Sequence, residues 1–308
     1  MKRYKYFPDF FKTLFTTRVQ KLSIDGGFTC PNRDGVKSTG GCTFCNNDSF
    51  TPGYCRKVSS IKDQIEEGYT FFAKKYKEQK YLAYFQSYSN TYASLEILKQ
   101  KYQEALECRD VVGLVIGTRP DAIDIATLDY LEELAKKYYV CIEYGVESTN
   151  DKVLDKINRG HGFQEAKDAI LATAGRGIKI GAHLIFGLPT ESYESMINGA
   201  IELSELPIDI LKLHQLQIIK GTSMATEYMS APNDFRLYSL DEYLQFVVEV
   251  IEKINPNIYL ERFVNQAPSE YLIAPKWGVK NFEFVAKLDK LLIELDTYQG
   301  KRWQAKHL

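Results

Sequence analysis

Short apolar runs alternate along the chain with longer stretches in which apolar positions recur every three or four residues. The runs predict strands at Val19–Ile24, Tyr81–Gln86, Val111–Ile116, Tyr139–Tyr144, Ile178–Phe186 and Ile210–Gln217. Between them, amphipathic spacing predicts helices near Ser60–Tyr76, Leu95–Leu106, Ile125–Lys137, Phe163–Ala174 and Glu191–Leu206. Strand and helix in regular alternation imply parallel strands joined by right-handed crossovers. Six such strands fall short of the eight that close a full barrel. The expected fold is therefore α/β, a partial (β/α)6 barrel splayed enough to admit a large substrate from the side.

After Gly221 the rhythm changes. A helix near Leu240–Ile254, a short strand at Ile258–Phe263, a loop over Gln266–Trp277 and a helix near Phe282–Leu295 read as a C-terminal α/β extension packed on the core. The expected division is a core over residues 1–222 and an extension over residues 223–308. No internal repeat of solenoid period is present.

Composition narrows the chemistry. The chain has 39 basic and 40 acidic residues, so overall charge gives no footprint for nucleic acid. Local basic clusters exist all the same: Lys2-Arg3-Lys5, Lys74-Lys75-Lys77-Lys80 and Lys301-Arg302-Lys306, with Tyr4, Tyr6, Phe7, Tyr76, Tyr81 and Trp303 nearby. Aromatics beside cations suit base stacking with phosphate contact, and they equally suit solvated helix faces and tails. Apolar runs are too short for a membrane span. The basic, aromatic start lacks a small-residue cleavage site, so neither a leader nor a membrane partner is expected, and the expected location is cytoplasmic. Six cysteines in such a setting do not form a disulfide framework; clustered ones read as metal ligands.

Three cysteines do cluster. Cys30, Cys42 and Cys45 sit in a glycine-rich loop directly after the first predicted strand, with eleven residues between the first two and two between the last two. Three thiolates with a fourth position left open suit an iron–sulfur cluster, whereas a closed structural zinc site takes four protein ligands. Cys55, ten residues on, is the one candidate for a fourth zinc ligand. Chemistry in α/β barrels gathers at the C-terminal ends of strands, where this loop lies. Cys108 and Cys141 read as core residues.

This loop, with Phe44 before its last cysteine, resembles that of the radical S-adenosylmethionine (SAM) superfamily. The resemblance implies a [4Fe–4S] cluster held by Cys30, Cys42 and Cys45, with SAM on the open iron. An electron from the cluster then cleaves SAM to a 5′-deoxyadenosyl radical that takes hydrogen from substrate. Later segments extend the match: Glu143-Tyr-Gly145-Val-Glu147-Ser148, Asn158-Arg159-Gly160-His161 and Ile180-Gly-Ala-His183-Leu-Ile-Phe-Gly187. By the same resemblance, the Phe44 backbone contacts adenine, Glu147 the ribose and Arg159 the SAM carboxylate, with Ser148 a further cofactor-binding residue. Gln86 and Ser87 take the place of a glycine-rich turn that holds the amino group. Arg119 and His183 are expected to face the pocket, His183 also as a SAM contact; His214 alternates like His183.

Together with Cys30-Pro-Asn-Arg-Asp-Gly35, Leu216–Gly221, Ala274-Pro-Lys-Trp277 and Tyr298-Gln-Gly-Lys301, the chain resembles the YtqA/MnmL branch of Elongator-catalytic-subunit-like proteins. In the late arginine loop, Arg262-Phe-Val-Asn265-Gln266-Ala-Pro268 departs from the branch's Gly-Asp. The branch implies a tRNA-modifying enzyme that converts 5-carboxymethylaminomethyl-(2-thio)uridine at the wobble position to 5-aminomethyl-(2-thio)uridine. It also implies the tRNA anticodon loop as substrate, a flavodoxin or ferredoxin as electron donor, and a partner tRNA methyltransferase. A base must be splayed out of the loop to reach a buried centre. Two other readings fit the same residues: radical SAM chemistry on another RNA position or a small molecule, and a non-catalytic RNA-binding module with a structural zinc.

Overall fold

A computed structural model describes residues 2–56, 60–73 and 79–304. The strands are β1 (Val19–Ile24), β2 (Lys80–Phe85), β3 (Val111–Thr118), β4 (Tyr139–Glu147), β5 (Lys179–Phe186), β6 (Ile210–Gln215), β7 (Ile218–Ile219), β8 (Tyr259–Arg262) and β9 (Leu272–Ala274). The helices are α1 (Phe7–Leu14), α2 (Ile61–Ala73), α3 (Leu95–Leu106), α4 (Ile125–Ala135), α5 (Asp151–Lys156), α6 (Phe163–Thr173), α7 (Tyr193–Glu205), α8 (Ser223–Ser230), α9 (Leu240–Lys253) and α10 (Asn281–Glu294).

Seven parallel strands form one sheet in the order β1-β2-β3-β4-β5-β6-β8, beside a small antiparallel pair of β7 and β9. The seventh strand departs from the six-strand expectation. It comes from beyond residue 222, pairing Leu260 with Leu211 and Arg262 with Lys212. Fully buried Leu260 gives the apolar contact that holds it there. The sheet curls strongly enough that Lys21, on its first strand, reaches Glu261, on its last, at 2.7 Å. That contact between opposite edges marks the sheet as a partial barrel rather than an open blade. Strands buried on both faces read as nearly continuous apolar runs, which is why their positions are visible in sequence.

Helix α1 is an addition to the expected elements. Phe7, Phe10 and Phe11 share one helical face, and Pro8 sits in the first turn, where its missing N–H costs nothing. Phe7 and Phe10 pack on Leu82, Tyr84, Val115, Cys141 and Ile210 inside the sheet, among the strand-start residues Val19, Val112, Tyr139 and Tyr259. The helix thus plugs the end of the barrel where the strands begin and leaves the opposite end for the site.

The terminal basic clusters are straps rather than free cationic arms. Lys2 pairs with Asp289, Arg3 with Asp296 at 2.8 Å, and Arg302 with Glu252 at 3.2 Å. Lys301 donates to the Asp296 carbonyl at 2.8 Å, and Tyr4 and Phe7 are buried. Of the two readings the termini allow, RNA contact or tails laid on the fold, Lys2, Arg3 and Arg302 in ion pairs and Tyr4 and Phe7 in the core favour the second. In the middle cluster Lys80 pairs with Asp110 at 2.5 Å; Lys74, Lys75, Tyr76, Lys77 and Lys306 lie outside the described residues. Among the described residues no helix is long and apolar enough to cross a membrane.

Candidate functional site

The end of the barrel opposite α1 opens into a pocket lined by Cys30, Cys42, Phe44, Cys45, Gln86, Arg119, Glu147, Arg159 and His183. Nine of the sequence-expected residues thus come together. Ser87 and Ser148 do not: Ser87 shares a 2.9 Å hydrogen bond with Thr51, and Ser148 donates to Glu191 at 2.6 Å. Side chains alternate across a strand, so neighbours of an inward residue at the strand's end are directed elsewhere. Burial raises the Glu191 carboxyl to about 7, with Ser148 opposing the shift.

The cysteine loop is held by its own polar residues. Arg33 N–H donates to the Cys30 carbonyl at 2.8 Å and Cys45 N–H to the Cys42 carbonyl at 3.0 Å, closing two tight turns. Gly41 has φ +81°, a conformation that favours glycine, and a Cβ there would also push the Arg33 side chain, whose Nε it would meet at 2.7 Å. Each of two sulfurs accepts from an amide: Asn32 Nδ2 donates to Cys42 Sγ at 3.7 Å and Asn47 Nδ2 to Cys45 Sγ at 3.6 Å. Arg159 Nη1 also donates to Cys42 Sγ, at 3.5 Å. Burial pushes the Cys45 thiol up to about 11, the Cys42 sulfur adding to it and Arg33 opposing.

On the sheet side, β4 carries a register shift between Gly145 and Glu147, and Glu147 has φ +69°. A bulge with a strained non-glycine residue re-aims its side chain, a feature that clusters at functional sites. Glu147 lies 3.8 Å from Arg159 Nη2, which also donates to the Gly145 carbonyl. Burial works against the Arg159 charge, but Cys42 and Glu147 outweigh it and raise its pKa. Arg119 forks onto Asp121 with two bonds of 2.9 Å, leaving Nη1 without a partner among the described residues. Gln86 accepts from Ser23 at 3.2 Å.

Beneath this lies a charged layer in which sequence reasoning assigned no role to the lysines or to Glu261. Glu143, fully buried, accepts from Lys212 at 2.5 Å, Lys21 at 2.9 Å and the His183 ring at 3.3 Å. Glu261 contacts Lys21 at 2.7 Å and Lys212 at 3.4 Å. Burial alone raises the Glu143 carboxyl, but the two ammonium groups and His183 outweigh it and hold it well below the usual range. The signal was present: Lys212 stands in the apolar run Ile210-Leu-Lys-Leu213, where a solvated lysine has no place.

The other cysteines are elsewhere. Cys55 Sγ donates to the Ser23 carbonyl at 3.1 Å and Cys108 Sγ to the Glu104 carbonyl at 3.4 Å. Cys141 is fully buried beside the α1 plug.

Comparison with known proteins decides the family. Residues 32–198 match the Radical SAM superfamily, and residues 208–294 match the Radical_SAM C-terminal domain. The chain is 34% identical over 303 residues to the uncharacterized protein YtqA of Bacillus subtilis (strain 168), covering 98% of this chain and 94% of that one. It is 36% identical over 280 residues to protein YhcC of Escherichia coli (strain K12), covering 90% and 88%.

The chain belongs to the radical SAM superfamily.

A solved structure of the archaeal Methanocaldococcus infernus Elp3, lacking its first 46 residues, shares the fold with TM-score 0.68 at 16% identity; it covers 93% of this chain, which spans 65% of that one. Membership brings a [4Fe–4S] cluster and SAM as cofactors, and the residues present fit them. Among the described residues no three or more His, Cys, Asp or Glu side chains converge on a single metal ion. The three cysteines instead face one pocket, as a cluster that takes one cysteine per iron requires. The amide and guanidinium donors on Cys42 and Cys45 suit thiolates carrying cluster charge.

Proposed function

We propose that this radical SAM enzyme acts on the tRNA anticodon loop, converting wobble 5-carboxymethylaminomethyl-(2-thio)uridine to 5-aminomethyl-(2-thio)uridine. The observation that carries the reading is the end-to-end likeness to YtqA, 34% over 98% of the chain, the branch whose resemblance implies this reaction. A cytoplasmic setting, a flavodoxin or ferredoxin as reductant and a downstream methyltransferase belong to the same reading.

In it, Cys30, Cys42 and Cys45 hold the cluster. Bound there, cluster and SAM supply the 5′-deoxyadenosyl radical that takes hydrogen from substrate. Arg159 gives its planar fork to the SAM carboxylate. Glu147 accepts from ribose hydroxyls, Phe44 backbone meets the adenine, and the Gln86 amide borders the amino group. Phe44, Phe50, Ile185, Leu216 and Ile219 line the pocket and keep water from the reacting atoms. Hydrogen abstraction by carbon needs no base, so none is assigned; Arg119 and His183 shape the wall.

The Arg159–Glu147 pair gives a test of the SAM assignment. A Cβ at position 145 would meet Glu147 Oε1 at 2.5 Å and Arg159 Nη2 at 2.9 Å. Gly145→Ala is expected to weaken SAM binding about tenfold or more, since misplacing one charge-assisted bond costs over ~1.4 kcal/mol, while iron content stays unchanged. Equilibrium binding of SAM to the reconstituted protein measures this; unaltered affinity removes the pair from the SAM site.

For the substrate, anaerobically reconstituted enzyme is incubated with SAM, dithionite and tRNA bearing 5-carboxymethylaminomethyluridine. The digest is followed by mass spectrometry alongside 5′-deoxyadenosine. Loss of that nucleoside with gain of 5-aminomethyluridine is the expected result. SAM cleavage over an unchanged digest overturns the substrate and keeps the chemistry.

A further inference from the structure

The charged side chains that line the pocket are, with one exception, already engaged. Arg33 donates to the Cys45 carbonyl at 2.8 Å, Arg119 forks onto Asp121, Arg159 meets Glu147, and Glu143 is held by two lysines. Arg262 is the exception. It ends β8 and is half-buried in the pocket wall. Among the described residues its guanidinium makes no hydrogen bond and no ion pair. The rings it senses electrostatically are those of Tyr84 and His214, both also in the pocket lining. His214 Nδ1 is buried without a partner, and its ring lies 5.5 Å from that of His183. Burial, with His183 and Arg262 adding to it, holds the His214 imidazole neutral.

A guanidinium drawn partly out of water with no acceptor, in the same pocket wall as an imidazole nitrogen with none, is a costly arrangement that a ligand relieves. The charge of that ligand follows from the layer below. Lys21 and Lys212 are matched by Glu143 and Glu261, so this layer cancels. Of the lining guanidinium groups that face no carboxylate, Arg33 donates to the Cys45 carbonyl and Arg262 is left with no acceptor; a planar fork of donors best fits a carboxylate.

We propose that Arg262, with His214 and Tyr84 beside it, is the carboxylate subsite of this pocket and grips the carboxylate of the substrate side chain that the enzyme removes. The assignment rests on the wobble-uridine reading above. It gives Arg262 a specificity role: a nucleoside that lacks the carboxylate leaves the guanidinium unpaired, so product is held more weakly than substrate.

The test is a binding measurement on SAM-loaded, anaerobic enzyme, using two tRNAs that differ only in the wobble side chain, 5-carboxymethylaminomethyl or 5-aminomethyl. Wild type is expected to favour the first by about 10- to 100-fold, the range of one charge-assisted, bidentate contact. Arg262→Gln is expected to bind both at the weaker level and Arg262→Lys to recover part of the preference. SAM affinity and iron content stay near wild type in both variants. His214→Phe, which removes both ring nitrogens and keeps a flat ring, is expected to lose part of the preference and serves where Arg262→Gln folds poorly.

A preference that survives in Arg262→Gln overturns the subsite. Equal weakening toward both tRNAs assigns the guanidinium to an RNA phosphate, and loss of SAM affinity assigns it to SAM; either result overturns it too. If wild type converts the nucleoside yet binds both tRNAs alike, the subsite falls and the substrate reading stands. If wild type neither converts nor binds either tRNA, the substrate reading falls and the subsite with it.

Discussion

Replacing Cys30, Cys42 or Cys45 by alanine will take the reconstituted protein from about four irons per chain to less than one, the cluster needing every protein ligand it has. SAM cleavage will fall to background. Cys55→Ala, Cys108→Ala and Cys141→Ala will keep iron, sulfide and cleavage. The contrast follows from placement: the first three sulfurs line one pocket, whereas Cys55 and Cys108 donate to backbone carbonyls and Cys141 packs in the barrel interior. Iron and acid-labile sulfide assays on the six single variants read it directly. Zinc in place of iron, lost from Cys55→Ala as readily as from Cys30→Ala, would return the loop to a structural role.

The parts of this molecule that sequence makes visible are those in which one residue type has one use. Strands β1 to β6 stand within a few residues of their expected bounds, because burial on both faces demands unbroken apolar runs. The cysteine loop is equally plain, since three thiols at that spacing have few other reasons to cluster. Strand β8 was visible as a strand but not as a member of the main sheet. Its place depends on pairing with β6 across the intervening β7, α8 and α9, which no local pattern records. Helix α1 had its signal in the spacing of Phe7, Phe10 and Phe11, masked by the basic residues before it. Those cations suited an RNA-binding arm and a packed tail equally, and Lys2 and Arg3 are ion-paired to α10 and the turn after it. Ser87 and Ser148, just past the ends of β2 and β4, follow residues that line the pocket and themselves turn to Thr51 and Glu191. Arg262 stood in a loop that departs from its branch, and only the geometry shows it unpaired.

The charged floor was the least legible part, because charge is expected outside until its partner is known. It also carries the second large effect. Glu143→Gln keeps the shape of the side chain and leaves Lys21 and Lys212 to share Glu261, a buried layer with one uncompensated positive charge. Breaking a buried ion pair from one side costs about 3–5 kcal/mol, much of it the penalty of the charge left behind. The double variant Glu143→Gln/Lys212→Met, which restores neutrality, is therefore expected to recover more than half of the loss. Acid acts on the same group. The folded-state pKa of Glu143 is depressed, so its contribution is complete above the ordinary carboxylate range and drains away as pH falls through the lower folded value. Wild-type stability should thus decline below about pH 4.3 more steeply than that of Glu143→Gln, which has no such proton to take up. Urea unfolding followed by circular dichroism at neutral and acid pH measures both effects. A single variant within about 1 kcal/mol of wild type, or a double variant no better than the single, would mean the layer is solvated rather than sealed. Sealing matters for the site above it: a neutral, rigid floor adds no net charge of its own, so the unpaired guanidinium at position 262 acts undiminished on the ligand the pocket accepts.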